Sequence, residues 1–289
     1  MRIGVVFPQT ELGGDVGAVR AYGQAVDQLG FAHLLTYDHV VGADPTVHAP
    51  WPGPYDSHTT FHEPFVMFGY LAAVTSLELV TGIIILTQRQ TALVAKQAAE
   101  VDLLTEGRFR LGVGVGWNAV EYEALGKDFS DRGRRYDEQV EVMRRLWTEE
   151  SVTHHGTYEH ITAAGLAPLP VQRPIPVWFG GSSAAAYRRI GRLADGWFPQ
   201  VRPGEPLDAA RAIIAEAAVA AGRDPEGLGM EGRINCGPDG IEELVRHADK
   251  WRSTGATHVA INTMGSGLAT VDDHVEVLTM AADALGVKP

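Results

Sequence analysis

One cysteine, Cys236, is present in 289 residues, so no disulfide can form within the chain. The fold must be held by packing, and such cysteine usage suits a reducing compartment, which makes the cytoplasm the expected location. Positive charge is scarce as well: 24 Lys and Arg stand against 36 Asp and Glu, a formal net charge of -12. No cluster of Lys and Arg offsets it, which argues against a nucleic-acid or anionic-membrane partner and leaves small molecules as the expected ligands. Long apolar runs are missing too. The longest, residues 83–86 with their flanks, is far too short to span a membrane, and the apolar stretch near Met1 is too short for a signal peptide. What is there is ordinary globular composition, 45% hydrophobic and 21% charged, with ample length for a large core.

Strand and helix signals alternate along most of the chain. Residues 3–7 are a β-branched apolar run closed by Pro8, the pattern of a buried strand. Asp15 is placed to cap a helix that carries Val19, Tyr22, Val26 and Leu29 on one face, and Gly30 ends it. A second buried strand, His33-Leu34-Leu35-Thr36, runs straight into Tyr37-Asp38-His39. A helix over 63–75, a strand over 77–86, a helix striped by Val94, Ala98, Val101 and Leu104, and a glycine-rich strand over 109–115 follow. The second half repeats the rhythm, with helices over 133–147, 180–193, 206–221, 238–253 and from Val271 to Leu285. Its strands are expected at 175–179, 196–199, 229–234 and 258–263. Only 151–173 breaks the alternation. With His154-His155-Gly156 and several prolines it is expected to be an inserted hairpin or excursion. Eight strands with helices between them predict one domain over residues 1–289, a closed (β/α)8 TIM barrel with an insertion before strand five. No polar-alternating edge strand appears, as closure requires.

Such barrels carry their chemistry at the C-terminal ends of the strands. Asp38 and His39 stand at the end of strand two. His39 is the candidate acid, base or orienting group, and Asp38 the candidate partner for a ligand donor or for its neighbours. The loop over 42–62 is too long to be idle in a compact domain, and Pro50, Pro52, Trp51 and Tyr55 make it a stiff, aromatic lid or binding loop. It also concentrates His48, His58 and His62, but no His-x-His ends strand one and the spacing is poor, so no metal site is expected. Gly112, Gly114 and Gly116 alternate along strand four without the Gly-x-Gly-x-x-Gly turn of a dinucleotide site. Either a flat ligand approaches there or the barrel packs tightly. Gly82 in strand three suggests a bulge whose backbone meets a ligand. Gly180-Gly181-Ser182-Ser183 opens a helix with backbone N–H groups and hydroxyls suited to phosphate.

Together these motifs resemble a known family. They are Tyr37-Asp38-His39-Val40-Val41, Val80-Thr81-Gly82-Ile83, Gly112-Val113-Gly114-Val115-Gly116-Trp117-Asn118 followed by Glu121-Tyr122-Glu123-Ala124-Leu125-Gly126, Pro176-Val177-Trp178-Phe179-Gly180-Gly181-Ser182, and Ala194-Asp195-Gly196-Trp197. The chain resembles the luciferase-like monooxygenase superfamily, specifically its coenzyme F420-dependent oxidoreductases, from about residue 3 to 200. The resemblance implies hydride transfer between the deazaflavin F420 and a small organic substrate. Relatives that use FMN and O2 supply the alternative, and a non-catalytic deazaflavin carrier a remote one. It implies a ring supported by a bulge with a non-prolyl cis peptide at Gly82-Ile83. Asp38 and His39 would lie near the ring edge, where His39 can take part in proton transfer. Val115, Gly116 and Trp117 would line the tail side, Gly180, Gly181 and Ser182 would take the phosphate, and Phe7 would face the pocket floor. Family members are often homodimers. No basic triad for a sugar phosphate is visible, and Arg89, Arg132, Arg134 and Arg135 are the candidates for an anionic tail.

Overall fold

The computed structural model describes residues 1–236 and 240–289. Its main sheet consists of β1 (Arg2–Val6), β2 (His33–Thr36), β3 (Glu78–Thr81, continued by Ile84–Ile85), β4 (Phe109–Gly114), β5 (Val177–Gly180), β6 (Gly196–Phe198), β7 (Gly229–Asn235) and β8 (His258–Asn262). Each strand pairs in parallel with the next, and β8 pairs back onto β1 from Arg2↔His258 to Val6↔Asn262. The sheet is therefore a closed parallel barrel with helices between its strands, the (β/α)8 architecture expected from the alternation.

The two-residue period of the strands sorts side chains into two cores. Val5, Leu34, Leu79, Leu111, Val113 and Val177 point outward and pack beneath the helices. Val6, Leu35, Val80, Trp178, Phe198 and Ala260 point inward and plug the barrel. Below this plug, at the N-terminal ends of the strands, the interior is charged. Arg110 on β4 donates to Glu231 on β7 at 2.7 Å and to Glu78 on β3 at 3.2 Å. His33 Nε2 lies 2.9 Å from the other Glu231 oxygen. Burial alone would push the Glu231 carboxyl up, but the charges of His33 and Arg110 outweigh it and hold it at about 2. His258 is pushed down to about 3 by burial and by Arg110 and His33, and stays neutral. Gly4 is required here, since a Cβ on it would meet the His33 ring at 2.4 Å.

Local signals act as the sequence predicts. Asp15 accepts from the Gly17 and Ala18 N–H groups to cap the helix Val16–Gln28. Glu63 caps Pro64–Ala72 through the Val66 N–H. The segment that broke the rhythm holds an antiparallel hairpin, Val152–His155 with His160–Ala164, inserted before β5. The predicted start of the 238–253 helix at Pro238 lies outside the described residues, and the helix described is Gly240–Ser253. Strand three breaks at Gly82, where a bulge was expected, and only its run on either side is shorter than predicted. It does not run unbroken over 77–86 but stops at Thr81, resumes for Ile84–Ile85 and passes into a 3-10 turn over Leu86–Gln88. The Gly82–Ile83 peptide between its halves is cis. Across this break the Thr81 hydroxyl accepts from the Gly112 N–H at 2.8 Å and donates to the Gly112 carbonyl at 2.7 Å. These bonds take over part of the ladder.

Candidate active site

At its C-terminal mouth the barrel opens into a cleft of about 540 Å³, within the range of small-molecule sites. Asp38, His39, Gly82, Ile83, Val115, Gly116, Trp117, Gly180, Gly181 and Ser182 all line it, although they come from the ends of four different strands. Phe7 does not. It is fully buried in the outer core, edge-on to Tyr22 and beside His62. The reason is strand parity: Val6 points into the barrel, so its neighbour Phe7 points out.

The glycines of β4 are explained by packing. A Cβ on Gly112 would strike the Thr81 carbonyl at 1.9 Å, and one on Gly114 would meet Ile83 at 2.0 Å. Gly116, at φ +67°, lies against Ile85. These glycines admit the broken strand β3, and Ile83 thereby becomes part of the cleft's wall. On β5, Gly180 leaves the wall bare beside Ile83. The Ser183 side chain caps the helix Ala184–Leu193 through the Ala186 N–H, and the Gly181-Ser182-Ser183 turn before that helix faces the cleft.

Asp38 and His39 are adjacent yet differently employed. The Asp38 side chain is only 1% exposed, with Oδ1 taking a 2.8 Å bond from Arg89 and Oδ2 a 3.1 Å bond from the Ile85 N–H. Burial pushes its carboxyl up, and Arg89 opposes the shift. Both oxygens are thus consumed in tying the end of β2 to the second half of β3. Of the two roles expected for Asp38, this geometry matches the orienting of neighbours. His39 sits in a ring of aromatics, with Phe61, Tyr55 and Trp117 at centroid distances of 4.8, 5.2 and 5.8 Å. Tyr55 and Phe61 belong to the 42–62 loop, which carries turns but neither helix nor strand. Trp51 of that loop packs on Trp117 and donates to the Tyr55 carbonyl at 2.7 Å. Its histidines do not gather: His48 lies beside Trp51 and His62 beside Phe7.

A buried carboxylate beneath His39 was not singled out from sequence. Glu121, on the short helix Ala119–Ala124 that Asn118 caps, is 1% exposed and reaches under His39. Its Oε1 accepts from the Val40 N–H at 2.5 Å and the Val41 N–H at 3.4 Å. Its Oε2 accepts from Gln88 at 3.1 Å and lies 3.4 Å from His39 Nδ1. Burial alone would raise the Glu121 carboxyl, but the bonds from His39, Val40 and Gln88 outweigh it and hold it below the usual range. Its place in the motif that follows β4 was the available signal, but a helix of six residues is too short to show a buried face by period.

The arginines also separate. Arg89 is spent on Asp38 and Glu63, Arg135 pairs with Glu159 at 3.1 Å, and Arg134 donates to the Tyr158 hydroxyl at 3.2 Å. Only Arg132 of the four tail candidates lines the cleft, stacked 3.6 Å over the Phe129 ring. A fifth arginine, Arg233 on β7, lines it as well.

Residues 1–278 match the family of luciferase-like monooxygenases. The chain belongs to that family. An uncharacterized protein of Mycobacterium tuberculosis is 38% identical over 230 residues, 77% of each chain. The F420-dependent hydroxymycolic acid dehydrogenase of the same organism is 28% identical over 293 residues, 99% of this chain and 76% of its own. The structure of an F420-dependent secondary alcohol dehydrogenase, in complex with an F420–acetone adduct, superposes with a TM-score of 0.79. It covers 100% of this chain and 99% of its own at 18% identity, a likeness of fold.

Proposed function

We propose that this luciferase-like protein is a coenzyme F420-dependent oxidoreductase that transfers hydride between the deazaflavin and a small organic substrate. One observation carries the proposal: a single cleft unites His39, the Ile83 wall and the Gly180-Gly181-Ser182 turn. The relative matched along 99% of the chain, named as an F420-dependent dehydrogenase, supports the choice of cofactor. The residues fit such a group. Gly82, Gly114 and Gly180 leave backbone, not side chains, around Ile83, which suits a planar ring. The backbone N–H groups of Gly181 and Ser182, with two serine hydroxyls at a helix N-terminus, suit a phosphate. Arg132 adds positive charge to the same cleft.

Bound F420 supplies a carbon centre that gives or takes a hydride in one two-electron step. The chain must then bind, exclude water and manage a proton. Trp117, Tyr55 and Phe61 keep water from His39. The proton belongs to His39. Its Nδ1 faces the Glu121 carboxylate, and a lone pair there would be repelled, so Nδ1 carries the hydrogen. Nε2, which has no hydrogen-bond partner among the described residues, is left to exchange a proton with substrate. Glu121 is therefore a positioning residue that acts through His39.

Purified protein decides the matter. F420 should bind at least tenfold more tightly than FMN, by about 1.4 kcal/mol. Its visible band should bleach or recover with a substrate under strictly anaerobic conditions. Tighter FMN binding with O2-dependent turnover would instead establish the monooxygenase alternative. Tight F420 binding that reacts with no donor or acceptor would establish a carrier.

A further inference from the structure

We propose that the cleft takes a substrate with a flat, aromatic body and one carboxylate, and that Arg233 with Tyr37 binds the carboxylate. The inference rests on the oxidoreductase reading of the same cleft. Arg233 lies two residues beyond Glu231 on β7 and lines the mouth of the barrel. Its Nη1 donates to the Tyr37 hydroxyl at 2.9 Å, and its guanidinium stands 5.9 Å from the Tyr37 ring centroid. Among the described residues no carboxylate pairs with it. The other cleft arginine, Arg132, is already committed to Phe129, stacking on its ring and donating to its carbonyl at 2.5 Å.

The pair has the chemistry of an anion site. Because the Tyr37 oxygen accepts from Arg233, its own hydrogen is free to point at a ligand. A carboxylate placed there receives one bond from the phenol and one from the remaining guanidinium N–H groups. Burial pushes the Tyr37 phenol up, against the pull of Arg233, so it keeps its proton. Tyr37 is two residues before His39 on the same strand end, which sets the anion site beside the proton-transfer group. The surrounding walls are rings: Tyr55, Trp117 and Phe198 line the cleft, and Trp117 is 40% exposed and open to stacking. An aliphatic polyol would leave these faces uncovered, and a neutral molecule would leave the guanidinium unanswered.

Benzoate, benzyl alcohol and acetate separate the two parts of the proposal. Each is titrated into the cofactor-free protein by isothermal titration calorimetry. Benzoate should bind about tenfold or more tighter than either of the others, the factor expected of a charge-assisted contact. Arg233→Gln should abolish that advantage while benzyl alcohol and F420 bind as before. Arg233 is exposed and makes one side-chain bond, so the variant folds. Equal binding of benzoate and benzyl alcohol, or no binding of either, overturns the proposal. So does an Arg233→Gln variant that loses F420 affinity by the same factor, since the guanidinium would then serve the cofactor. Failure of the wild type to bind F420 at all would strike the F420-dependent reading instead, and the benzoate preference would still be measurable.

Discussion

Replacing Asp38 by alanine should damage the fold before it damages the chemistry. The substitution removes the acceptors of two bonds at once, from Arg89 at 2.8 Å and from the Ile85 N–H at 3.1 Å, at a side chain 1% exposed. Breaking a buried ion pair by deleting one partner costs about 3–5 kcal/mol. Arg89 keeps Glu63 at 2.9 Å, a partner 34% exposed, so the lower end applies and about 3 kcal/mol is expected. Asp38→Asn retains an acceptor and should lose about 1.5 kcal/mol, the worth of one bond to a charged group. His39→Asn should behave in the opposite way. Its stability should fall less than that of Asp38→Ala, while turnover drops by roughly 10²–10⁴, the usual contribution of a proton-transfer group. Urea unfolding followed by tryptophan fluorescence measures the first quantity, and single-turnover kinetics with saturating F420 the second. If Asp38→Ala unfolds within about 0.5 kcal/mol of the wild type, below an ordinary hydrogen bond, the strut assigned to Asp38 does not exist.

Two other sites give separate tests. Glu121→Gln should shift the His39 hydrogen from Nδ1 to Nε2, seen in the imidazole ¹⁵N shifts of the cofactor-free protein, and should slow turnover about tenfold or more. The same substitution in a His39→Asn background should change little further, because Glu121 acts through His39. In the charged layer, the Glu231 carboxyl at about 2 lies below its ordinary 4.5, so ionised Glu231 contributes about 3 kcal/mol of stability. That contribution is complete above pH 4.5 and is lost as pH falls toward 2. His258, neutral down to about 3, works in the same direction, since the unfolded chain takes up its proton from about 6.5 downward. Wild-type stability should therefore decline steadily on acidification. Glu231→Gln should start lower at pH 7, with His33 left without its carboxylate and Arg110 held by Glu78 alone, and should lose Glu231's share of the decline below pH 4.5 while that of His258 remains. An unchanged acid limb by urea titration would contradict this account of the layer.

The barrel was legible because its signals are local. Alternating apolar strands and striped helices locate all eight strands to within a few residues, and cap residues such as Asp15 do what their chemistry predicts. Strand-end position alone picked out Asp38 and His39, and the Gly180-Gly181-Ser182 turn was visible as a helix start. What escaped depends on partners far apart in sequence. Arg110 and Glu231 are separated by 121 positions and His33 and Glu231 by 198, in strands that read as mainly apolar. Gly82 marked the break in β3, but the glycines that admit it, Gly112 and Gly114, lie on the neighbouring strand and no window on β3 reports that fit. Phe7 is a different case. Its adjacency to Val6 held the answer, because the two cannot face the same side of a strand.

A crystal structure of the protein with F420 bound would locate the deazaflavin. The ring should lie against Ile83 and Gly180, its edge toward His39, with its phosphate at the Gly181 and Ser182 N–H groups. A ring bound outside this cleft, or a phosphate held by other residues with the Gly180-Gly181-Ser182 turn empty, would contradict this placement.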